Sequence, residues 1–281
     1  MSARRLARQM LAGVTAGALL GALLTTSALA AAPGNDDSAT PRVVGALPYS
    51  DGPYDTTEAT SAATDPGFCF EPTAGPDRST VWYSFTPLTS GRFLADTFGS
   101  DYDTTLYVGT SDGAGGMAVI GCIDDSQGLQ SAVAWDAAAG TTYLIMVGTC
   151  CGSSPNAGGG SLIFHVDVAP PPPTVDLTVL TSGSFTPYGS ATIRGTIACS
   201  NTEGGAGIDL SLRQQVGRFT IRGYGFDTFE CSATPTPWSI VVSSDDGKFL
   251  GGQATVDAFA FACGPIECAD TFTHASVRLR R

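Results

Sequence analysis

The sequence predicts an all-β protein: two antiparallel β-sandwiches in tandem, joined by a proline-rich linker. Three observations carry that expectation. Short β-branched and aromatic runs, bounded by Gly, Ser, Asp or Pro, recur at roughly 8–12-residue spacing. No window keeps a helical period for three turns. Four consecutive prolines, Pro170 to Pro173, interrupt the pattern once, and they favour a stiff extended spacer of roughly 12 Å over a strand.

From the N-terminus, residues 1–30 read as a signal peptide. Arg4, Arg5 and Arg8 precede an apolar run that ends on Ala28-Leu29-Ala30, a small-x-small cleavage site. A retained membrane anchor is the alternative, because the run approaches the length of a span. Residues 31–45 form a loosely ordered N-terminal arm. The first sandwich occupies 46–168. In "TVWYSFTP", Val81, Tyr83 and Phe85 share one face, with Trp82 and Ser84 on the other. "SGRFLADTF", "DTTLYVGT", "SAVAWDA", "TTYLIMVGT" and "GSLIFHVDV" follow in the same style. In the last of these, Leu162, Phe164, Val166 and Val168 are the inward set and His165 faces out beside Asp167. The linker covers 169–174 and the second sandwich 175–281, with seven further runs from "VDLTVLTS" to "THASVRLR". In the final one Ala275, Val277 and Leu279 point inward and His274 outward.

Charge narrows the partners. Without the leader's three Arg, 11 bases face 26 acids, a net of −15. Residues 31–169 hold 16 acids against Arg42, Arg78 and Arg92, whereas 174–281 hold 10 acids against 8 bases. Phosphate-backbone binding needs clustered Lys and Arg, so nucleic acid and anionic membranes are poor partners and cations good ones. After leader removal no second long apolar run remains to enter a membrane. The expected protein is therefore secreted and extracellular.

All eight Cys follow the leader, which reads as disulfides in an oxidising compartment. A zinc site is the weaker reading, because no second Cys pair at zinc spacing accompanies Cys263 and Cys268 and His is scarce. In the second half Cys263–Cys268 closes the short loop "CGPIEC", and Cys199–Cys231 ties "TIACS" to "FECS". In chain-entropy terms the longer loop contributes about 3–4 kcal/mol and the shorter about 2.

The first half resembles the bacterial pre-peptidase C-terminal domain over roughly residues 33–168. "NDDSAT", "VWYSFTP" with Gly91 after it, "DTFGSDYDTTLYV", "CIDD", "QSAV" and "AGTTYLIMVG" stand in that family's order. The resemblance implies a jelly-roll-like sandwich, a Cys69–Cys122 bridge, and calcium binding as in some members. No peptidase domain precedes the module, so a role other than appendage to a protease in the same chain is expected. That pairing leaves Cys150 and Cys151 for a vicinal disulfide or an intermolecular bridge. Alternatively each bonds to one of Cys69 and Cys122. The second half resembles small secreted Ig-like domains of unknown function through "TIACS", "FECSATPTPWSIVV" and "CGPIEC", which implies a fold and no activity.

The acidic knots are the candidate site. Asp101 and Asp103 would share one face of an extended segment about 6.5–7 Å apart. Asp124 and Asp125 sit on the "CIDDS" turn, and Asn35, Asp36 and Asp37 lie on the N-terminal arm. Ca²⁺ takes six to eight oxygens, mostly carboxylates and loop carbonyls, so these seven residues are the expected metal ligands. Asp in turns also caps its own backbone, and that alternative stays open. A glycosidase would need two such carboxyls across a cleft, and nothing in the sequence marks a cleft. No Gly-x-Ser-x-Gly elbow accompanies the two His. Trp82, Trp135, Tyr102, Tyr107 and Trp238 are candidates for stacking a glycan, with Tyr102 expected exposed and the others more typical of core. The function expected is a secreted, non-enzymatic binding or adhesion protein whose partner is an extracellular polymer or cell-surface component, with Ca²⁺ stiffening the first module. An extracellular hydrolase acting on polysaccharide or peptide, or a purely structural envelope component, is the alternative.

Overall fold

A computed structural model describes residues 31–69, 71–126, 128–149 and 158–281. Residues 1–30, where a leader and its cleavage site are expected, lie outside the described residues, as do Cys150 and Cys151. Ala32–Arg281 forms one compact unit. No helix occurs among the described residues, so none is long and apolar enough to cross a membrane.

Before the proline run the strands are β1 (Arg42–Val44), β2 (Tyr49–Asp55), β3 (Gly67–Phe68), β4 (Glu71–Pro76), β5 (Arg78–Phe85) and β6 (Gly91–Asp96). They continue as β7 (Thr104–Ser111), β8 (Met117–Ile123), β9 (Ala132–Ala137), β10 (Tyr143–Thr149) and β11 (Ser161–Val168). Two sheets form, in the orders β1-β5-β10-β7-β8 and β2-β11-β6-β9, with β3–β4 as a separate hairpin. Alternation decides what fills the space between them. Val81, Tyr83 and Phe85 of β5 meet Leu162, Phe164 and Val166 of β11 in a single apolar cluster. Tyr83 stacks on Phe164 with ring centroids 3.9 Å apart.

The other face of the first sheet is buried as well. Trp82, Tyr107 and Met146 are fully enclosed, with Met117 and the Cys69–Cys122 bridge packed over them. Strands covered on both sides read as near-continuous apolar runs, which is the pattern of "TVWYSF" and "TLYV". Val168, expected inward, is 65% exposed. It pairs with Phe93 at the last rung of β11, past the end of β2, whose pairing with β11 stops at Val166.

The N-terminal arm is tied down rather than loose. Asn35 is buried: its amide donates to Trp82 O (2.9 Å), its side-chain oxygen accepts from Tyr54 Oη (2.7 Å), and its carbonyl accepts from Trp82 N (2.8 Å). β1 then runs parallel beside β5, satisfying the outer edge of that strand.

After the prolines come β12 (Thr174–Val179), β13 (Ser182–Phe185), β14 (Ala191–Ser200), β15 (Ala206–Val216), β16 (Phe219–Phe229), β17 (Thr236–Ser244), β18 (Gly252–Cys263) and β19 (Cys268–Arg280). They form one ladder, β12-β14-β13-β19-β18-β15-β16-β17, and β17 pairs back onto β14. The two faces of this sandwich are therefore continuous along the ladder, leaving few free edges to template aggregation. Pairing is antiparallel throughout except for the short parallel contacts β1–β5 and β13–β19. Period-2 burial in β14, β17 and β18 sends Ile193, Ile197, Trp238, Ile240, Val256 and their neighbours into one core. Cys199–Cys231 and Cys263–Cys268 are both bridged, as the loop positions suggest.

Prolines 170, 171 and 173 line a small cleft with Ala134, Pro265, Ile266 and Glu267. Beside it the Arg92 guanidinium holds Glu267 through Nη2 at 2.6 and 2.7 Å, while Arg92 O accepts from Ala169 N at 3.0 Å. The linker is thus packed against both flanking segments and is more than a spacer.

Gly195 shows how closely the second core is built. A Cβ there would lie 1.8 Å from Thr178 O and 2.6 Å from the Trp238 ring. Gly195→Ala should therefore destabilise the protein by about 1–3 kcal/mol through overpacking. An unchanged urea midpoint would contradict the packing described.

Candidate metal centre

The β7–β8 ladder brings the acidic knots together. Asp103 immediately precedes β7, Asp124 and Asp125 immediately follow β8, and Leu106 pairs with Ile123 at that end. A knot of buried hydroxyls fixes the loops that carry them. Thr97 Oγ1 and Thr104 Oγ1 are 2.6 Å apart, and Ser131 N donates to Thr97 Oγ1 at 2.9 Å. The Ser131 hydroxyl reaches the carbonyls of Thr104 and Asp124, and Thr104 N donates to Leu129 O at 2.9 Å. Thr97, Thr104 and Ser131 are fully enclosed, where a lost hydrogen bond costs about 1–3 kcal/mol. This stiffness holds three like charges close.

One oxygen from each of Asp103, Asp124 and Asp125 lies within 4.8 Å of the others. Oxygens bound to one Ca²⁺ at 2.3–2.6 Å are at most about 5.2 Å apart, so the trio fits one hard cation. Electrostatics records the crowding. Burial, and then the charges of Asp125, Asp103 and Asp77, push the Asp124 carboxyl up to about 6. Burial and Asp125 raise Asp103 too. Asp103 Oδ1 is enclosed with no hydrogen-bond partner among the described residues. An all-carboxylate donor set with an enclosed oxygen suits Ca²⁺ better than a softer metal.

The remaining expected ligands lie elsewhere. Residues 101 and 102 form a bend, so Asp101 and Asp103 do not share an extended face. Asp101 Oδ1 instead accepts from Ser161 N at 2.7 Å, pinning its loop to β11. Asp36 receives Thr60 N and Thr60 Oγ1, both at 2.6 Å. Asp37 caps Ala39 N at 2.7 Å, and Asn35 is consumed by Trp82 and Tyr54. Of these four only Asp37 caps its own turn, as the alternative reading had it; Asn35, Asp36 and Asp101 are engaged by groups from distant segments. Asp112 behaves likewise: hydrogen bonds from Ala114 N and Gly116 N hold its carboxyl below the usual range.

His165 faces out as expected, but its partner is Asp96 (Nδ1 to Oδ1, 2.8 Å) across the ladder, not Asp167. His274 pairs with Asp257 at 2.6 Å. The glycan-stacking candidates are core: Trp82, Trp135, Tyr102, Tyr107 and Trp238 are all buried, including Tyr102. Burial raises the Tyr102 hydroxyl to about 12. Sequence reading placed no weight on Asp77, which sits buried against Thr105 Oγ1 and adds to the field at Asp124. It also missed an exposed aromatic group on β16, β18 and β19, whose only signal was Phe at every second position in "DAFAFAC".

No family model matches the sequence, and no curated protein matches it. Among solved structures, similarity reaches an FMN-binding β-glucuronidase from Facaelibacterium prausnitzii L2-6, at 17% identity over 72% of this chain and 32% of that one, TM-score 0.23. A glycosyl hydrolase family 2 member from Bacteroides cellulosilyticus DSM 14838 gives 15% identity over 72% and 29%, TM-score 0.22. A β-D-mannosidase from Dictyoglomus thermophilum gives 9% over 70% and 29%, TM-score 0.21. This chain spans about a third or less of each, and superposition this loose carries no argument about activity.

The raised Asp124 carboxyl fixes the sign of one pH effect. Without metal, the folded protein keeps a proton that the unfolded chain releases near pH 4. The stabilisation this proton gives is full below that value and is lost as pH rises through about 6. In chelator, Asp124→Asn should therefore gain melting temperature relative to the parent as pH rises from about 4 to about 7. A difference constant with pH would refute the raised Asp124 carboxyl.

Proposed function

We propose that this is an exported, non-enzymatic binding protein of the cell exterior whose first sandwich is held by Ca²⁺ at Asp103, Asp124 and Asp125. The observation that carries the reading is the trio itself: three carboxylates gathered by a rigid hydroxyl knot, two of them with raised pKa and one with an enclosed, unsatisfied oxygen. A structure that concentrates like charge destabilises itself unless a counterion resides there. The disulfides support an oxidising compartment. Ca²⁺ would neutralise the trio and fasten the end of the β7–β8 hairpin to the 97–104 loop, giving a stiff platform for adhesion.

Extracellular modules hold Ca²⁺ with Kd of about 10⁻⁴–10⁻³ M. Adding about 10 mM Ca²⁺ should then stabilise the protein by about 1.4–2.7 kcal/mol, raising the melting midpoint by about 3–10 °C. Asp103→Asn with Asp124→Asn should be more stable than the parent in chelator at neutral pH and indifferent to Ca²⁺. Asp101→Ala should lose about 1 kcal/mol, as for a lost cap, yet keep the Ca²⁺ response. A parent protein that ignores both Ca²⁺ and chelator sinks the metal reading. Turnover of polysaccharides or peptides that those Asp→Asn changes abolish sinks the non-enzymatic one.

A further inference from the structure

The outer face of the second sandwich carries an open cleft of about 500 Å³, far from core duty and lined by rings that ought to be buried. Tyr224, Phe226 and Phe272 are 63%, 57% and 64% exposed. Phe259 and Phe261, about a third exposed, stack at 6.1 Å. Contiguous exposed aromatics on a soluble protein mark interaction sites.

Strand register arranges them around one carboxylate. Asp209 on β15 is flanked directly by Phe226 on β16 and Phe259 on β18, and Phe259 in turn by Phe272 on β19. Neighbouring strands are about 4.8 Å apart, so Asp209 stands within contact range of both adjacent rings. Two residues back along β15, Gly207 makes room for this: a Cβ there would lie 2.5 Å from the Phe261 ring and 3.3 Å from that of Phe226, so both rings lean over its bare backbone. On the opposite side of the row stand Ser211 and Asp257. Asp257 is already engaged by Arg213 and by His274 at 2.6 Å. Among the described residues no donor reaches the Asp209 carboxylate. The charged side chains lining the cleft are thus Asp209 and Asp257, both acids, and Asp209 has no counter-charge of its own.

Aromatic faces around a carboxylate complement an organic cation, because ring quadrupoles and the anion attract the same sign. We propose that this face binds a trimethylammonium head group of choline type, with Asp209 balancing its charge and Phe226, Phe259 and Phe272 packing on its methyl groups. Three comparisons select this occupant. A primary ammonium needs acceptors around all three of its N–H groups on leaving water, and the Phe226, Phe259 and Phe272 rings that make up most of the wall offer none, whereas a tetraalkylated nitrogen needs none. A neutral sugar would cover Asp209 and leave its charge uncompensated. A second copy of this chain, docking the same face across a two-fold axis, would bring like-charged Asp209 rows together. The site is separate from the acid trio and does not depend on metal.

Titration of the full chain with choline chloride at constant ionic strength, followed by NMR of the aromatic side chains, tests it. Run in chelator, the measurement is independent of any Ca²⁺ effect. Saturable shifts of Tyr224, Phe226, Phe259 and Phe272 are expected, with Kd on the order of 1 mM. Asp209→Asn and Phe272→Ala should each weaken binding at least tenfold with unchanged melting temperature, while Phe219→Ala, outside the cleft, should not. Choline affinity unaffected by Asp209→Asn would overturn the assignment. So would tighter binding of lysinamide or cellohexaose than of choline, binding only to phosphatidylcholine vesicles, or a dimer in solution that Phe272→Ala dissolves.

Discussion

Burial of β5, β7 and β10 on both faces is the constraint on which the first sandwich depends. Their inner side chains meet the second sheet through Tyr83 and Phe164, and their outer ones meet the cover around Trp82, Tyr107 and Met146. Because both faces are apolar, alternation alone specifies register only weakly. Covalent and polar ties supply what the pattern lacks. Cys69–Cys122 fastens β8 to the turn between β3 and β4, and Asn35 clasps the backbone of Trp82 from the N-terminal side.

That rigidity explains how the protein tolerates its acidic end. The loops at the mouth of the β7–β8 hairpin cannot splay to relieve repulsion, since Thr97, Thr104 and Ser131 hold them by hydroxyls sealed from water. A flexible loop would let the carboxylates part and titrate normally. Here burial, and then the neighbouring charges, raise the pKa values of Asp103 and Asp124. Asp36, Asp101, Asp112 and Asp257 each have a nearby N–H, hydroxyl or base instead. Charge density alone therefore does not distinguish a metal site from a turn. What singles out the trio as the candidate is its convergence, together with an enclosed Asp103 oxygen that has no hydrogen-bond partner among the described residues.

The second sandwich solves the same burial problem by joining its ladder end to end, β17 onto β14, so that one face of every strand is enclosed and the other is free. A free face has no packing role to fill, which is why the aromatic rings there call for an external occupant while Trp238, on the enclosed face, does not. The Arg92–Glu267 contact at the proline run ties the two sheet systems through one of the few bases in the acidic half.

Much of the architecture is legible from residue order. The runs around Val81, Leu162 and Val277 show their inward sets by alternation, and Cys199–Cys231 and Cys263–Cys268 follow from which loops they close. These are local properties, set by a two-residue period or a short chain separation. What distant segments supply was not legible. Tyr102 looks exposed between two acids but is roofed over by Gly160 and its neighbours. Asp101 and Asp103 look paired but are separated by a bend, and Asp103 finds its companions 21 and 22 residues away, across a hairpin whose register only the fold sets. Composition determined that this chain would be strand-built, bridged and acidic. Which carboxylates converge and which rings stay in water depended on tertiary structure, because both are decided by neighbours brought from other strands.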